Sequence, residues 1–479
     1  MLFPTLDFAV FFSIVLTLSW LVPPFSTRWK LLVLAASYVF YGWWDPRFCL
    51  LLAAVTAGNH LAAKLIARSG GRSRAALLAV TITGDLGVLA YFKYAGFFAS
   101  SLVNGLRSIG LQPDIPLIQV ALPVGVSFFT FQAISYVVDV HRGTMQPGRF
   151  LDVAVFLSFF PHVVAGPIVR AAEFLPQLAP RRDAHRIDAT RALCLIVGGL
   201  AKKVVLASFL STAIVDPVFN EPGAHTSLEA LFAVYGYAVQ IWADFSGYTD
   251  IAIGCALLLG IRFPQNFDNP YAAVSLQDFW RRWHMTLSRW LRDYLYVPLG
   301  GGRGRRAFVA RNLMITMVLG GLWHGAAWTF VIWGAMHGTF LVVERLWRER
   351  QERRTQARVE AGLEVRRVPL AWLWPRLVTF HAVCLAWVFF RADSVSNAVA
   401  VLDRIVSARG PAPLVTPVVL LAVGVGLAVQ WLPRDIGPRL VAGLSRLTPA
   451  MQGAGLAASF AVIGALGPQG VAPFIYYRF

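Results

Sequence analysis

The sequence predicts an all-α, polytopic integral membrane protein, and three observations carry that expectation. Of the 479 residues, 57% are hydrophobic and only 14% charged, whereas soluble domains carry about 25% charged residues. The mean hydropathy of +0.59 implies more apolar surface than the core of a soluble chain this long would bury. Apolar runs recur along almost the whole chain, each near the length of about 20 residues that a helical span needs. A soluble enzyme on a single anchor is excluded. So is an outer-membrane barrel, whose strands would alternate polar and apolar residues.

The length rule yields roughly eleven or twelve spans. They lie near 6–24, 31–44, 48–67, 76–103, 117–138, 151–169, 189–215, 228–260, 311–343, 370–391, 414–432 and 452–467. The first run, Leu6 to Val22, has no basic stretch before it and no small-residue cleavage site after it. It therefore reads as a span and not as a signal peptide. The second stops at Gly42-Trp43-Trp44-Asp45-Pro46, an aromatic-rich break of the kind found where helices meet the membrane–water interface. Internal Gly and Pro in several other runs point to re-entrant or broken helices. No repeat at a fixed period is visible.

Lys plus Arg exceeds Asp plus Glu by 43 − 25 = 18, and the excess sits in short loops between apolar runs. These are Lys64–Arg74, Arg181–Arg191, Arg303–Arg311 and Arg345–Arg367. Such a pattern follows positive-inside topology and requires no nucleic-acid partner. It places the basic loops in the cytoplasm and, because Arg28 and Lys30 follow the first span, the N-terminus outside. The whole chain, 1–479, reads as one membrane domain. Residues 345–367, with eight Arg against four Glu, read as a basic cytoplasmic linker. The four cysteines, Cys49, Cys194, Cys255 and Cys384, are scattered through apolar stretches without metal-binding spacing.

Residues 262–340 break the pattern and read as the catalytic core segment. A polar loop rich in Asn, Asp and Pro, Arg262 to Tyr271, precedes the capping pair Ser275 and Asp278. Trp280, Trp283, Leu287, Trp290 and Tyr294 then recur at three- and four-residue steps, the signature of one apolar helix face. Arg281, Arg282, Arg289 and Arg292 occupy the other faces, so the expectation is one helix lying at the interface with its tryptophans at headgroup depth. Pro298 and Gly300-Gly301-Gly302 end it.

Histidine is the side chain suited to proton transfer near neutral pH, and the chain has nine. His185 and His225 sit in polar loops, while His60, His141, His162 and His381 are lone residues near span ends, read as packing groups. His324 is different. It lies in Leu319-Gly-Gly-Leu-Trp-His-Gly-Ala-Ala-Trp328, where small residues permit close approach by a ligand or by another helix. An ionisable residue inside a span is a functional candidate. His284 follows Trp283 in the aromatic segment, with a headgroup-facing role as the alternative. His337 is 13 residues beyond His324. On one continuous helix that is about 220° around and roughly 20 Å along, so His337 is read as structural. Asp244, Ser246 and Asp250 lie in the apolar run after Gln240. A buried carboxylate there must face a polar cavity or pair with a cation such as Arg; substrate contact and helix stapling are equally open. No metal-binding, serine-elbow or P-loop pattern accompanies these residues, so no metal or redox cofactor is expected.

At these motifs the chain resembles the membrane-bound O-acyltransferase family, in particular the bacterial branch that acetylates exopolysaccharides such as alginate. The resemblance rests on Leu122-Pro-Val-Gly-Val-Ser-Phe-Phe-Thr-Phe-Gln132, Phe159 to Arg170, the Asp244 segment, Asp278 to Gly302, Gly320 to Gly338 and the closing Pro473 to Phe479. It implies a central funnel through the membrane, with the family histidine at His324 and the second family position at His284. It also implies Trp323, Trp283, Asp244, Ser246 and Asp250 as candidate substrate-binding residues. The donor would be acetyl-CoA or another acyl thioester, delivered by coenzyme A or an acyl carrier protein. A periplasmic, esterase-like acetyltransferase partner would complete transfer to a polysaccharide acceptor, which places the protein in the bacterial inner membrane. Acyl transfer to a hydroxyl needs a base and a stabiliser for the developing oxyanion. His324 suits the first role, while His284 would polarise the carbonyl or orient the acceptor. D-alanyl transfer and peptidoglycan acetylation are alternatives within the family, and a transporter or a scaffold of a polysaccharide export complex lies outside it.

Overall fold

A computed structural model describes every residue except Leu2, 112–119, Ala165, 180–186, 363–371 and 468–479. His185 and the closing Pro473–Phe479 motif lie outside the described residues. Among the described residues there are helices and no strands, as the composition predicts. The chain divides into two units, Met1–Leu200 with Gly247–Pro264 and Gly443–Val462, and Ala201–Ser246 with Gln265–Ala442 and Ile463–Phe479.

The first unit starts with helices Leu6–Leu21, Thr27–Gly42 and Arg47–Arg68. Thr5 and Ser26 cap the first two, their hydroxyls accepting from the amides of Phe8 and Trp29 at 3.3 and 3.2 Å. Such caps satisfy amides that have no partner within the helix. The second helix stops at the aromatic break foreseen at Gly42, and Trp43 and Trp44 stand exposed. Helix Val126–Arg142 is almost wholly buried and is bounded by Gly125 and Gly143, both left-handed, with φ of 75° and 74°. That backbone is open to glycine and strained for other residues. A phenylalanine cluster of Phe3, Phe8, Phe12, Phe40 and Phe160 fills the core of this unit. Lys30 pairs with Asp152 at 2.6 Å. His162 has its Nε2 2.7 Å from the Phe156 carbonyl, the packing role expected of it.

Fewer helices than expected qualify as spans. Among the described residues, Arg47–Arg68, Gly71–Ser108, Ala189–Asn220 and Pro449–Leu466 are long and apolar enough to cross a membrane, and the pair Pro417–Trp431 and Ile436–Leu444, bent by 93°, makes a fifth. Apolar runs and continuous helices do not coincide, so the eleven or twelve runs are not each one unbroken helix of that length. The run at 151–169 resolves into Phe150–Ser158 and the single turn Phe160–Val163, and the run at 311–343 breaks at Gly325. Leu6–Leu21 is apolar but short.

In the second unit the core is carried by helices Arg306–His324, Trp328–Glu360 and Trp374–Arg391. Arg391 pairs with Asp216 at 2.6 Å. The segment from 345, read as a linker, continues the Trp328–Glu360 helix through residue 360. Its i,i+4 pair Arg345–Glu349 at 3.1 Å is the kind that supports an exposed charged helix. The expected single aromatic helix is instead three short pieces, Leu276–Arg282, Met285–Leu291 and Arg292–Tyr296. The break falls at His284, whose φ is 42°, so the periodic face is not continuous. Trp283, Leu287 and Trp290 are consequently buried in the unit and do not form a headgroup-facing row.

Candidate functional site

His324 is the last residue of its helix. Gly325 is extended, with φ −160°, and helix resumes at Trp328. The glycines around the histidine serve this hairpin: a Cβ on Gly334 would lie 2.9 Å from Val318 Cα, and one on Gly321 would meet the Phe330 carbonyl and sit 3.2 Å from Gly334. Of the two readings of the small residues, the approach of another helix is the one realised. The His324 ring is buried between Trp323 at 5.1 Å, Trp333 at 5.1 Å and Phe390 at 5.2 Å, centroid to centroid.

His284 arrives from another direction. The capping pair forms as read from the sequence: Ser275 Oγ accepts from the Asp278 amide at 3.1 Å, and Asp278 Oδ2 accepts from the Val274 amide at 3.1 Å. The first short helix then ends, and the left-handed residue turns the imidazole inward. Its nearest described ring neighbours are Phe245 at 4.6 Å and Trp323 at 6.0 Å. The His284 and His324 rings are 6.5 Å apart. Two histidines separated by 40 positions in sequence are thus brought together in one buried aromatic cluster. The left-handed geometry costs a non-glycine residue on the order of 1–3 kcal/mol and persists where its surroundings hold it. Asn266 does so, accepting the Met285 amide on its backbone carbonyl at 2.9 Å and the Thr286 amide on Oδ1 at 3.1 Å.

His337 corrects the single-helix assumption. Because the chain turns at Gly325, His324 and His337 flank the same Trp333 ring, at 5.1 and 4.8 Å. His337 also stacks on Phe279 at 6.2 Å and meets Trp280 edge-on at 5.1 Å. It is fully buried, and neither ring nitrogen has a hydrogen-bond partner among the described residues.

The remaining candidates divide. Trp323 and Trp283 are buried in the second unit, Trp323 against both histidines and Trp283 against Phe267, Phe279 and Trp387. Asp244 pairs with Lys203, and Ser246 accepts from Lys202 at 3.1 Å. The cation beside Asp244 is therefore a lysine, where arginine was the expectation. Asp250 belongs to the first unit.

Beside the histidines lies a cavity of about 620 Å³ whose wall includes Trp280 and Met285, the residue after His284. Arg281, Arg289, Arg292, Arg345 and Arg348 line it, against the single carboxylate of Glu344. That carboxylate is already engaged by the amides of Leu276 and Gln277 at 2.6 and 3.3 Å. Arg292 and Arg345 are paired with Asp293 and Glu349, and the remaining excess of arginine over carboxylate leaves the cavity cationic, which suits an anionic ligand.

Residues 142–383, which contain both histidines, match the family model described as MBOAT, membrane-bound O-acyltransferase family. The chain belongs to the membrane-bound O-acyltransferase family. Among its relatives is the probable alginate O-acetylase AlgI of Pseudomonas aeruginosa, 43% identical over 77% of this chain and 68% of the relative. The peptidoglycan O-acetyltransferase of Helicobacter pylori is 36% identical over 80% and 74%. The teichoic acid D-alanyltransferase of Streptococcus thermophilus is 30% identical over 56% and 68%. The protein is an acyltransferase of the membrane and is similar to the alginate O-acetylases.

Within this O-acyltransferase, sequence reasoning overlooked Asn266, Trp333 and the arginine-lined cavity. Asn266 stood in a loop already singled out as polar, where asparagine ordinarily reads as a turn residue. His337 was read as structural on the single-helix assumption, and Trp333, one turn before it, was not singled out. Arg281, Arg289 and Arg292 belong to the aromatic segment already singled out, but Arg345 and Arg348 come from the Trp328–Glu360 helix more than 50 residues on, and no local pattern joins the two groups.

Proposed function

We propose that this membrane-bound O-acyltransferase takes an acetyl group from a cytosolic thioester and passes it across the inner membrane for O-acetylation of an exopolysaccharide. The observation that carries the reading is the pair of buried imidazoles 6.5 Å apart beside a cavity rich in arginine. A phosphate-bearing donor, acetyl-CoA or an acyl carrier protein's phosphopantetheine, complements that charge. In the reaction the acceptor hydroxyl loses its proton as its oxygen attacks the thioester carbonyl carbon. The C–S bond then breaks, and the thiolate recovers the proton, giving an ester and a free thiol. His284 and His324 are the groups able to hold that proton between the two events. Trp323 and Trp283 pack beside the histidines and exclude water, and Asp244 and Ser246, held by Lys203 and Lys202, are the candidate polar contacts of the substrate. Placing the arginine-lined cavity in the cytoplasm, with the N-terminus periplasmic, agrees with the positive-inside rule. A periplasmic, esterase-like transferase is then the natural recipient of the acetyl group on its way to the polysaccharide.

Transfer to peptidoglycan or of D-alanine is the second reading, supported by the names of the less identical relatives. The test is release of free thiol from acetyl-CoA by purified protein, with candidate acceptors or partners supplied, for wild type and His324→Ala. Thiol release by wild type that is lost in a folded variant supports the reading. Equal release by both removes His324 from the chemistry, and release only from D-alanyl or other donors transfers the reading to the second class.

A further inference from the structure

The hydrogen bonds around Asn266 determine which nitrogen of His284 carries a proton. Asn266 is buried, and its Oδ1 lies 3.1 Å from the Thr286 amide, 2.9 Å from Thr286 Oγ1 and 3.2 Å from His284 Nδ1. A backbone N–H can only donate, so the atom facing it is the amide oxygen and not the amide nitrogen. That oxygen can only accept, so His284 Nδ1 must carry hydrogen. A neutral imidazole has one N–H, which leaves Nε2 as a bare lone pair. Nε2 is buried and has no hydrogen-bond partner among the described residues.

We propose that Asn266 is a positioning residue that holds His284 as its Nδ1–H tautomer, and that His284 Nε2 thereby takes the acceptor's hydroxyl proton. The inference rests on the acyl-transfer reading above and assigns the roles within it. A bare Nε2 cannot donate to a carbonyl oxygen, so polarising the carbonyl is removed from His284, and of the two histidines able to hold the proton it is His284, not His324 as the sequence suggested, that takes the base role. The proton moves from the hydroxyl to Nε2 while the oxygen bonds to the acyl carbon. From Nε2 it passes to the departing thiolate, restoring the neutral ring. Asn266 keeps its single hydrogen bond to Nδ1 throughout, and that bond strengthens while the ring is cationic.

The rival is that Asn266 only caps the helix Met285–Leu291. Two measurements separate the cases. Magic-angle-spinning NMR of histidine-labelled protein in lipid, with the His284→Gln spectrum subtracted, reads the tautomer without reference to activity. The Nδ1–H form is expected in wild type and a mixture of tautomers in Asn266→Ala. An Nε2–H ring in wild type overturns the proposal. Kinetics supply the second readout. Asn266→Ala is expected to lower kcat on the order of 10²-fold with KM for donor little changed. Asn266→Asp retains the acceptor oxygen and adds a negative charge that favours the cationic ring. It is expected to recover most of kcat and to move the acid limb of the rate profile to higher pH. Phe245, Phe267, Trp323 and His324 are the rings around His284, so His324 is the titratable neighbour, and the shift must persist in a His324→Gln background measured on residual activity. A cap alone predicts an unmoved limb in Asn266→Asp and a loss of folded protein in Asn266→Ala, which overturns the proposal. Wild-type protein that shows the Nδ1–H ring but transfers no acyl group from any thioester overturns the base role together with the functional reading, and leaves the tautomer standing.

Discussion

Removing the charge of Lys203 tests what Asp244 does. The two side chains form an ion pair with 2% and 5% of their surfaces exposed. At that depth neither charge is solvated, and each depends on its partner. Deleting one partner of a buried pair costs about 3–5 kcal/mol because the other is left uncompensated, whereas replacing both by apolar residues of similar volume is often close to neutral. Lys203→Met alone should therefore shift the folded-to-unfolded ratio on the order of 10²–10⁴-fold, and Asp244→Leu alone by a similar factor. The double variant should return to within about 1–2 kcal/mol of wild type. Unfolding by SDS titration in mixed micelles, followed by tryptophan fluorescence, measures all four proteins in one background. The double variant also decides between stapling and substrate contact. If the pair staples helices, acetyl transfer returns along with stability. A double variant that is stable but inactive places Asp244 on the substrate. A double variant whose loss equals the sum of the two single losses refutes the argument from burial.

Three further outcomes follow from the same geometry. His284→Gln and His324→Ala should each reduce thiol release on the order of 10²–10⁴-fold while eluting as wild type from size exclusion; activity within a few-fold of wild type in either would remove that ring from the proton path. Arg281→Gln combined with Arg348→Gln should raise KM for acetyl-CoA and weaken its dependence on ionic strength, with kcat retained, because the cavity charge acts on binding before it acts on chemistry; a change in kcat alone would place the donor elsewhere. Gly334→Ala should disrupt the Arg306–His324 and Trp328–Glu360 hairpin and lower the yield of folded protein, since its Cβ would fall 2.9 Å from Val318 Cα. Gly320→Ala, whose Cβ would be 3.2 Å from Leu291 Cδ1, should be milder, as a side chain can yield where a backbone cannot.

The membrane class and the two histidines were legible because each departs from a local expectation that sequence displays. Charge was scarce where soluble chains have it, and His324 stood among glycines inside an apolar run. What was not legible is where periodicity stops. Leu-Trp-His-Gly-Ala-Ala-Trp has helix-compatible spacing throughout, yet the chain leaves the helix at Gly325. The aromatic steps from Trp280 to Tyr294 are equally regular, yet they straddle a left-handed His284. Periodicity reports which residues would share a face if the helix continued, and it carries no information about whether it continues. The Lys203–Asp244 pair joins positions 41 apart on different helices, and a scan along the chain cannot see it.

Those two interruptions are also what bring the histidines together. Held mid-helix, the two imidazoles would each project from a separate rod, and His337 would be on the wrong side of its own. The break at Gly325 instead folds His324 and His337 onto opposite edges of Trp333, and the turn at His284 brings a third ring to 6.5 Å from His324. Both breaks need external support, because an unsupported helix end leaves polar groups unsatisfied. Glycine-mediated contact between helices supports one, and Asn266 the other. The small residues around His324 are therefore occupied by protein packing, and the rings that surround it are Trp323, Trp333 and Phe390. Selectivity among acyl groups should then follow the bulk of Trp323 and Trp333. Narrowing or widening those rings should change which acyl chain is transferred, while changes at the glycines should change only how much protein folds.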